Sequence, residues 1–263
     1  MKKSTRAFRW VYLAILLLFL YLPIVIMIIQ SFNAAERGTA WQGFTLENYA
    51  TLFAGKKANV IKALEVTLSV AAIATVVSTV LGTLGAIGIH SMRKRPQALM
   101  MTLTNLPNTM PDIVTGVSLM MLFIFMAGGD GSVRGYGTML LAHITFDTPY
   151  VILSVLPRLK QMNNNIYEAA LDLGATPRYA LMHVLIPECK QGIVTGAMLA
   201  FTLSIDDFTV SHFTAGKVQN LSELIYSSAK LGPDNVLYAV SALMFVALLI
   251  LLIAVNKHTI AAE

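Results

Sequence analysis

Four carboxylates sit in stretches that are otherwise apolar. They are Asp112 in MPDIVTG, Asp147 in ITFDTPY, and the adjacent pair Asp206 and Asp207 in FTLSIDDFTV. An ionised side chain in hydrocarbon is costly, and a neighbouring like charge raises the cost. By the expected limits of the apolar segments, no Lys or Arg lies deep in any of them, so an ion pair within the same chain is not available to these acids. Acids without bases suit a pathway for a cation; an anion would call for Arg, Lys or free helix N-termini. Adjacent aspartates on one helix are poor geometry for a dyad sharing a proton, which argues against a membrane protease. On a continuous helix the two lie about 100° apart. One then faces a pathway while the other meets a backbone donor or a second subunit. A purely structural role, in which the pair shapes a helix bundle through hydrogen bonds, competes with this reading.

The elements that must hold these residues are membrane spans. Of the 263 residues, 56% are hydrophobic and 13% charged, against roughly a quarter charged in a soluble domain, and the mean hydropathy is +0.67. The fold class is therefore an all-α membrane protein. A span needs about 20 apolar residues, and six candidates run approximately over 10–32, 65–90, 98–127, 138–157, 192–214 and 236–256. The basic start MKKSTRAFRW followed by the apolar run from Val11 reads as a retained signal-anchor helix. With the N-terminus inside, 12 of the 19 Lys and Arg fall in inner segments, from Lys2 to Lys257, and 7 in outer ones. That bias places both termini in the cytoplasm. A continuous helix from Ile193 would put the aspartate pair roughly 20 Å from the inner side.

The third span, with Pro107, Pro111 and Gly116, is expected to be irregular and to line a pathway or pack inside the bundle. Gly82, Gly85 and Gly88 in the second span suit close helix packing. The outer segment 32–64 carries Trp41, Phe44 and Tyr49, read as anchors at the membrane interface, with contact to a partner as the alternative. The single cysteine, Cys189, rules out an internal disulfide. His90, His143, His183, His212 and His258 are scattered and read as structural or interfacial, and no metal signature is present. AGKK (54–57) and AGK (215–217) lack the upstream glycine of a nucleotide-binding loop, so ATP hydrolysis is not expected from this chain.

The longest inner loop, 158–191, contains EAALDLGATPRYALMHVLIPECKQG. Glu168 to Leu173 should be a short helix ended by Gly174, where a positive φ is often needed. Thr176 and Pro177 suit the N-cap and first position of a second helix, expected to run to about Ile186 and stop at Pro187. Such an angled pair can dock into a groove on a partner.

This loop resembles the signature of binding-protein-dependent ABC importer permeases: Glu-Ala-Ala, three residues, Gly, nine residues, then Ile-x-Leu-Pro. Here Glu168, Ala169, Ala170, Gly174, Val184, Ile186 and Pro187 occupy those positions, with Val184 and Ile186 as mild departures. MPDIVTGVSLMMLF (110–123), AHITFDTPYV (142–151), AFTLSIDDFTVSHFTAG (200–216) and LPIVIMIIQSFN (22–33) look like the spermidine/putrescine permeases, specifically the C-type subunit. The resemblance implies one transmembrane permease domain over 1–263 with a type I importer fold and a coupling segment at about 163–187. It implies Glu168, Ala169, Ala170, Gly174, Ala175 and Pro187 as the contact with a cytoplasmic ATPase dimer. It further implies a second permease forming a heterodimer, an extracytoplasmic polyamine-binding protein, and a bacterial inner-membrane location. No cofactor, metal, catalytic residue or nucleic-acid partner is implied.

A polyamine has several ammonium groups separated by alkyl segments. Spaced carboxylates meet the charges, and aromatic faces meet the methylenes and attract the cations. Asp112, Asp147, Asp206 and Asp207 with Phe146, Tyr150 and Phe208 are the expected pathway residues, with Phe201 and Phe213 nearby in sequence. Another organic cation or an iron complex remains the alternative cargo. A carrier working without an ATPase fits the coupling signature poorly.

Overall fold

The computed structural model describes residues 3–35, 37, 40–162, 164–230, 232 and 234–260. Lys2, counted among the inner cations, and Asn163, at the start of the expected coupling segment, lie outside the described residues. The helices, in chain order, are α1 (Lys3–Gln30), α2 (Glu47–Phe53), α3 (Ala58–His90), α4 (Lys94–Thr109), α5 (Asp112–Met126), α6 (Tyr136–Gln161), α7 (Asn164–Asp172), α8 (Pro177–Ala180), α9 (Ile186–Glu188), α10 (Lys190–Asp206), α11 (Thr209–Thr214), α12 (Leu221–Ala229) and α13 (Asn235–Ile260). A 3-10 turn at Gly131–Val133 and a π-helical turn at Leu181–Leu185 complete the helical elements. Outside them the described residues form only the isolated β-bridges Asn33–Phe44 and Arg37–Asp234.

Four helices are long and apolar enough to cross a bilayer: Arg9–Gln30, Ala58–His90, Tyr136–Gln161 and Asn235–Val255. Two bent pairs supply the remaining candidates: α4 with α5, turned by 106°, and Pro177–Glu188 with α10, turned by 70°. The structure thus has four straight candidate spans, or up to six if each bent pair is one span, and the second pair includes Pro177–Glu188, which was expected in the inner loop. The third was expected as one irregular span and is instead two helices. Pro111 offers no N–H, and Met110 before it is forced extended (φ −85°, ψ 143°).

The fifth span departs further from expectation. It ends at Asp206, with Asp207 extended (φ −65°, ψ 120°) before α11 begins. The cause is local: the Asp207 carboxylate captures the free N–H groups of Val210 at 3.1 Å and Ser211 at 2.7 Å. Such capture competes with the helical ladder and starts a new helix.

The chain divides into two compact units. One comprises residues 1–61 and 225–257. In it a buried polar hub closes the end of α1. Asn33 donates to Gln30 Oε1 and Ala40 O, both at 2.8 Å, and accepts from the N–H groups of Ala35 and Gln42. Asn48 donates to the carbonyls of Ser31 and Asn33, and Asn235 donates to the carbonyl of Ala35. Trp41 and Phe44 are exposed. Tyr49, expected as an interface anchor, is tied down instead: its hydroxyl is 2.7 Å from Ser31 Oγ and its ring packs on Phe32.

The second unit, residues 62–224 with 258–263, holds the candidate site. Its core is the α6–α10 contact, packed with Val151, Val155, Leu156, Leu159 and Ala200. Glycines set the spacing. A Cβ on Gly192 or Gly196 would come within 3.0 or 3.2 Å of the α6 backbone. One on Gly82 would lie 2.5 Å from Val151 Cβ. Gly85 is tight against Ile152, whereas Gly88 has open space around it among the described residues. Gly116 lets α5 lie against α11: a Cβ there would lie 2.8 Å from the Phe213 ring.

Candidate functional site: an acidic cleft and a coupling turn

A half-open cleft of about 250 Å³ lies where α4, α5, α6 and the break between α10 and α11 meet. Pro107, Asp112 and Thr115 form one wall; Phe146 and Tyr150 come from α6; Leu203, Asp206, Asp207 and Phe208 come from the end of α10 and the break. The two helix breaks build this site. Pro111 ends one helix so that Asp112 begins the next, and the Asp207 break turns both members of the pair toward one space.

The acids are not equivalent. Asp112 and Asp206 are exposed and carry no side-chain hydrogen bond among the described residues. Asp207 has 9% of its side chain exposed and is well bonded: Oδ1 accepts from Val210 N–H, and Oδ2 from the N–H and hydroxyl of Ser211. Both line the cleft, but only Asp207 meets backbone donors, the role expected of one member of the pair; the helix that holds them is broken rather than continuous. Asp147 stands apart from the other acids. It is fully buried on the inner face of α6 and does not line the cleft. Its Oδ2 accepts from Ser204 at 2.7 Å, while Oδ1 has no partner.

His143, read from sequence as structural or interfacial, lies one helical turn before Asp147 and is 1% exposed. Its Nδ1 is 3.0 Å from Ser204 Oγ, and its Nε2 is 2.9 Å from Ser211 Oγ and 3.5 Å from Asp207 Oδ2. Ser204 and Ser211 are equally buried. These partners are 61 and 68 residues away in sequence. No local pattern announces them; the only clue is a polar His and Asp spaced i, i+4 in an apolar helix. Among the described residues, no group of three His, Cys, Asp or Glu side chains has the geometry to hold a metal.

The second candidate site is the turn after α7. Gly174 has φ +90°, its N–H bonds Leu171 O at 2.9 Å, and Ala175 N–H bonds Ala170 O at 3.0 Å. This is a Schellman-type stop, which favours glycine. Thr176 caps the next helix by accepting from Tyr179 N–H, with Pro177 in its first turn. The helical stretch ends at Glu188, within a residue of the expected stop at Pro187. The wide π turn at Leu181–Leu185 relieves the clash that a proline ring makes with the carbonyl four residues back. Ala170, Leu173, Gly174, Ala175 and Tyr179 line an open, largely apolar concavity of about 520 Å³, and Leu173 is 88% exposed. Glu168 and Ala169 are exposed beside it, and Glu168 lines a separate cleft with His90 and Tyr167. Pro187 is exposed at the far end of the segment.

The family model described as "Binding-protein-dependent transport system inner membrane component" matches residues 78–259. The chain is 34% identical over 230 residues to the putrescine transport system permease protein PotI of Escherichia coli (strain K12), covering 86% of this chain and 81% of the relative. It is 32% identical over 250 residues to the spermidine/putrescine transport system permease protein PotC of the same organism, covering 95% and 92%. PotC of Haemophilus influenzae is 34% identical over 236 residues, covering 89% and 90%. Among solved structures, a bacterial ABC transporter involved in the import of the acidic polysaccharide alginate has a TM-score of 0.68 at 16% identity, with 98% of each chain covered. The inward-facing MetNI methionine ABC transporter has a TM-score of 0.65 at 16% identity, covering 78% of this chain and 96% of that one.

Proposed function

This chain belongs to the family of binding-protein-dependent transport system inner membrane components, and on that premise we propose that the cargo it carries is a polyamine. The chain is the permease subunit of an ABC importer, a multi-pass inner-membrane protein of the type I fold, and is not itself an enzyme. Permeases of this family work with an ATPase and a binding protein. Spermidine and putrescine as cargo, a second permease as partner, and cytoplasmic termini belong to the proposal.

One observation carries it: three carboxylates and three aromatic rings share one half-open cleft. Asp112, Asp206 and Asp207 line it together with Phe146, Tyr150 and Phe208. Carboxylates and aromatic faces in one cleft complement ammonium groups joined by methylenes. The relatives named for putrescine and for spermidine/putrescine point the same way. In this reading Asp147 serves from behind the cleft wall rather than at its surface. The concavity at Ala170 to Tyr179, with Glu168, Ala169 and Pro187 around it, takes the ATPase, and closure of the ATPase tilts the broken spans between two arrangements.

The test is uptake by the assembled importer, with its ATPase, second permease and binding protein, in proteoliposomes. Putrescine and spermidine should enter in an ATP-driven manner. Accumulation of an iron complex or of a monovalent organic cation, with polyamines neither entering nor competing, contradicts the proposal.

A further inference from the structure

Buried Asp147 and cleft-lining Asp207 are the ends of one unbroken hydrogen-bonded chain. Ser204 Oγ donates to Asp147 Oδ2 at 2.7 Å and lies 3.0 Å from His143 Nδ1. Ser211 Oγ donates to Asp207 Oδ2 at 2.8 Å and lies 2.9 Å from His143 Nε2. Three elements contribute: α6 gives His143 and Asp147, α10 gives Ser204, and the α10–α11 break with α11 gives Asp207 and Ser211. Only Asp207 reaches the cleft; the rest are sealed from solvent.

Donor counting leaves this chain two proton arrangements. A serine hydroxyl has one hydrogen. When both serines give theirs to carboxylates, neither has one left for the imidazole. In that arrangement both His143 nitrogens donate, and His143 is an imidazolium between two carboxylates. The same bonds admit a second arrangement with the same number of protons. The Nδ1 hydrogen passes to Ser204 Oγ as Ser204 passes its own to Asp147 Oδ2. One N–H bond breaks, one O–H bond forms on Asp147, and Ser204 exchanges one hydrogen for another. The net charge of His143, Asp147 and Asp207 is −1 in both. Only the position of the positive charge differs: beside Asp207, or gone from there.

We propose that His143 is a positioning residue for the cleft acid Asp207, and that a cargo cation meeting Asp207 drives one proton from His143 through Ser204 to Asp147. The inference rests on the cation reading of the cleft given above. A cation in front of Asp207 repels an imidazolium behind it, and the relay removes that repulsion without drawing a proton from water. Asp147 is suited to receive the proton, because its Oδ1 is buried without a partner. A buried unpaired oxygen is far less costly on a neutral carboxyl than on a carboxylate. The other titratable groups at the cleft are Asp112 on α5, Asp206 on α10 and Tyr150 on α6, and none is hydrogen-bonded to the chain.

The test uses the assembled importer. Nitrogen NMR of the His143 ring without cargo should show both nitrogens protonated; a neutral ring at rest overturns the relay. Infrared difference spectra on adding putrescine or spermidine should show a new protonated-carboxyl band that is absent in Asp147→Asn. Ser204→Ala should abolish the band and raise the half-saturating polyamine concentration about tenfold. Ser204→Thr, which keeps the hydroxyl, should restore both, which a purely packing role for the serine would not require. If Asp206→Asn weakens polyamine uptake but no band forms in the parent, the relay is wrong and the cation reading stands. If polyamine neither enters nor responds to Asp206→Asn, the cation reading has failed and the relay falls with it.

Discussion

Asp206→Asn isolates the acidic cleft from the fold that carries it. The substitution keeps the shape and removes one charge. Asp206 is exposed in the cleft, carries no side-chain hydrogen bond among the described residues, and ends α10 without capping it. Its effect on folding should lie within about 0.5 kcal/mol, as for a surface change away from such features. The effect on cargo follows from the geometry. An ammonium about 4 Å from a carboxylate gains roughly 4 kcal/mol of Coulomb energy at an effective dielectric of about 20. Desolvation and salt in a half-open site reduce this, and a hydrogen bond to a charged group nets about 1.5–3 kcal/mol. Allowing for that screening, the expected loss is about 1–2 kcal/mol, a factor of roughly 5 to 30. The assay is ATP-driven uptake of labelled polyamine by reconstituted importer over a range of cargo concentrations. The half-saturating concentration should rise by that factor, the complex should assemble normally, and raising the salt should narrow the gap from the parent. An assembled variant with unchanged half-saturation at low salt refutes the reasoning.

Asp207→Asn should behave differently, because its carboxylate holds the start of α11 through Val210 and Ser211. An amide can accept on one side only, so the variant should lose about 1–3 kcal/mol of stability as well as transport, read as a lower melting temperature of the purified complex. Gly174→Leu places a side chain at φ +90°, where L-residues are strained by about 1–2 kcal/mol, although the space is open. ATPase co-purification should fall while polyamine affinity of the binding protein is unchanged; normal recruitment and transport would count against the coupling role. Gly116→Leu drives a side chain into Phe213 and the α11 backbone, costing about 1–3 kcal/mol of overpacking, and should lower thermal stability more than the same change at Gly88, which has room.

Much of this architecture is written locally. Apolar runs mark the four straight candidate spans and the two bent pairs, and Pro107 and Pro111 announce the irregular third segment. Gly174, Thr176 and Pro177 specify the coupling turn, because a positive φ, a capping hydroxyl and a fixed proline φ are properties of single residues. The failures are of another kind. Nothing in the period of FTLSIDDFTV distinguishes a continuous helix from one broken by Asp207, since the break depends on where the carboxylate turns. Asp147 looks like its fellow acids in sequence, yet the packing of α6 against α10 hides it. His143 acquires its partners only when α10 and α11 fold over α6.

The central claim, that the acids and aromatics of one cleft make this permease a conduit for polyamines, is tested most directly by competition uptake. The importer, reconstituted with its binding protein and ATPase, is loaded with ATP and offered labelled spermidine alongside unlabelled putrescine, a monovalent amine or an iron complex. The account predicts ATP-driven accumulation of spermidine that putrescine suppresses, that the other two leave unchanged, and that Asp206→Asn weakens. Uptake of a different cargo that polyamines do not suppress, unaffected by Asp112→Asn and Asp206→Asn together, would contradict it.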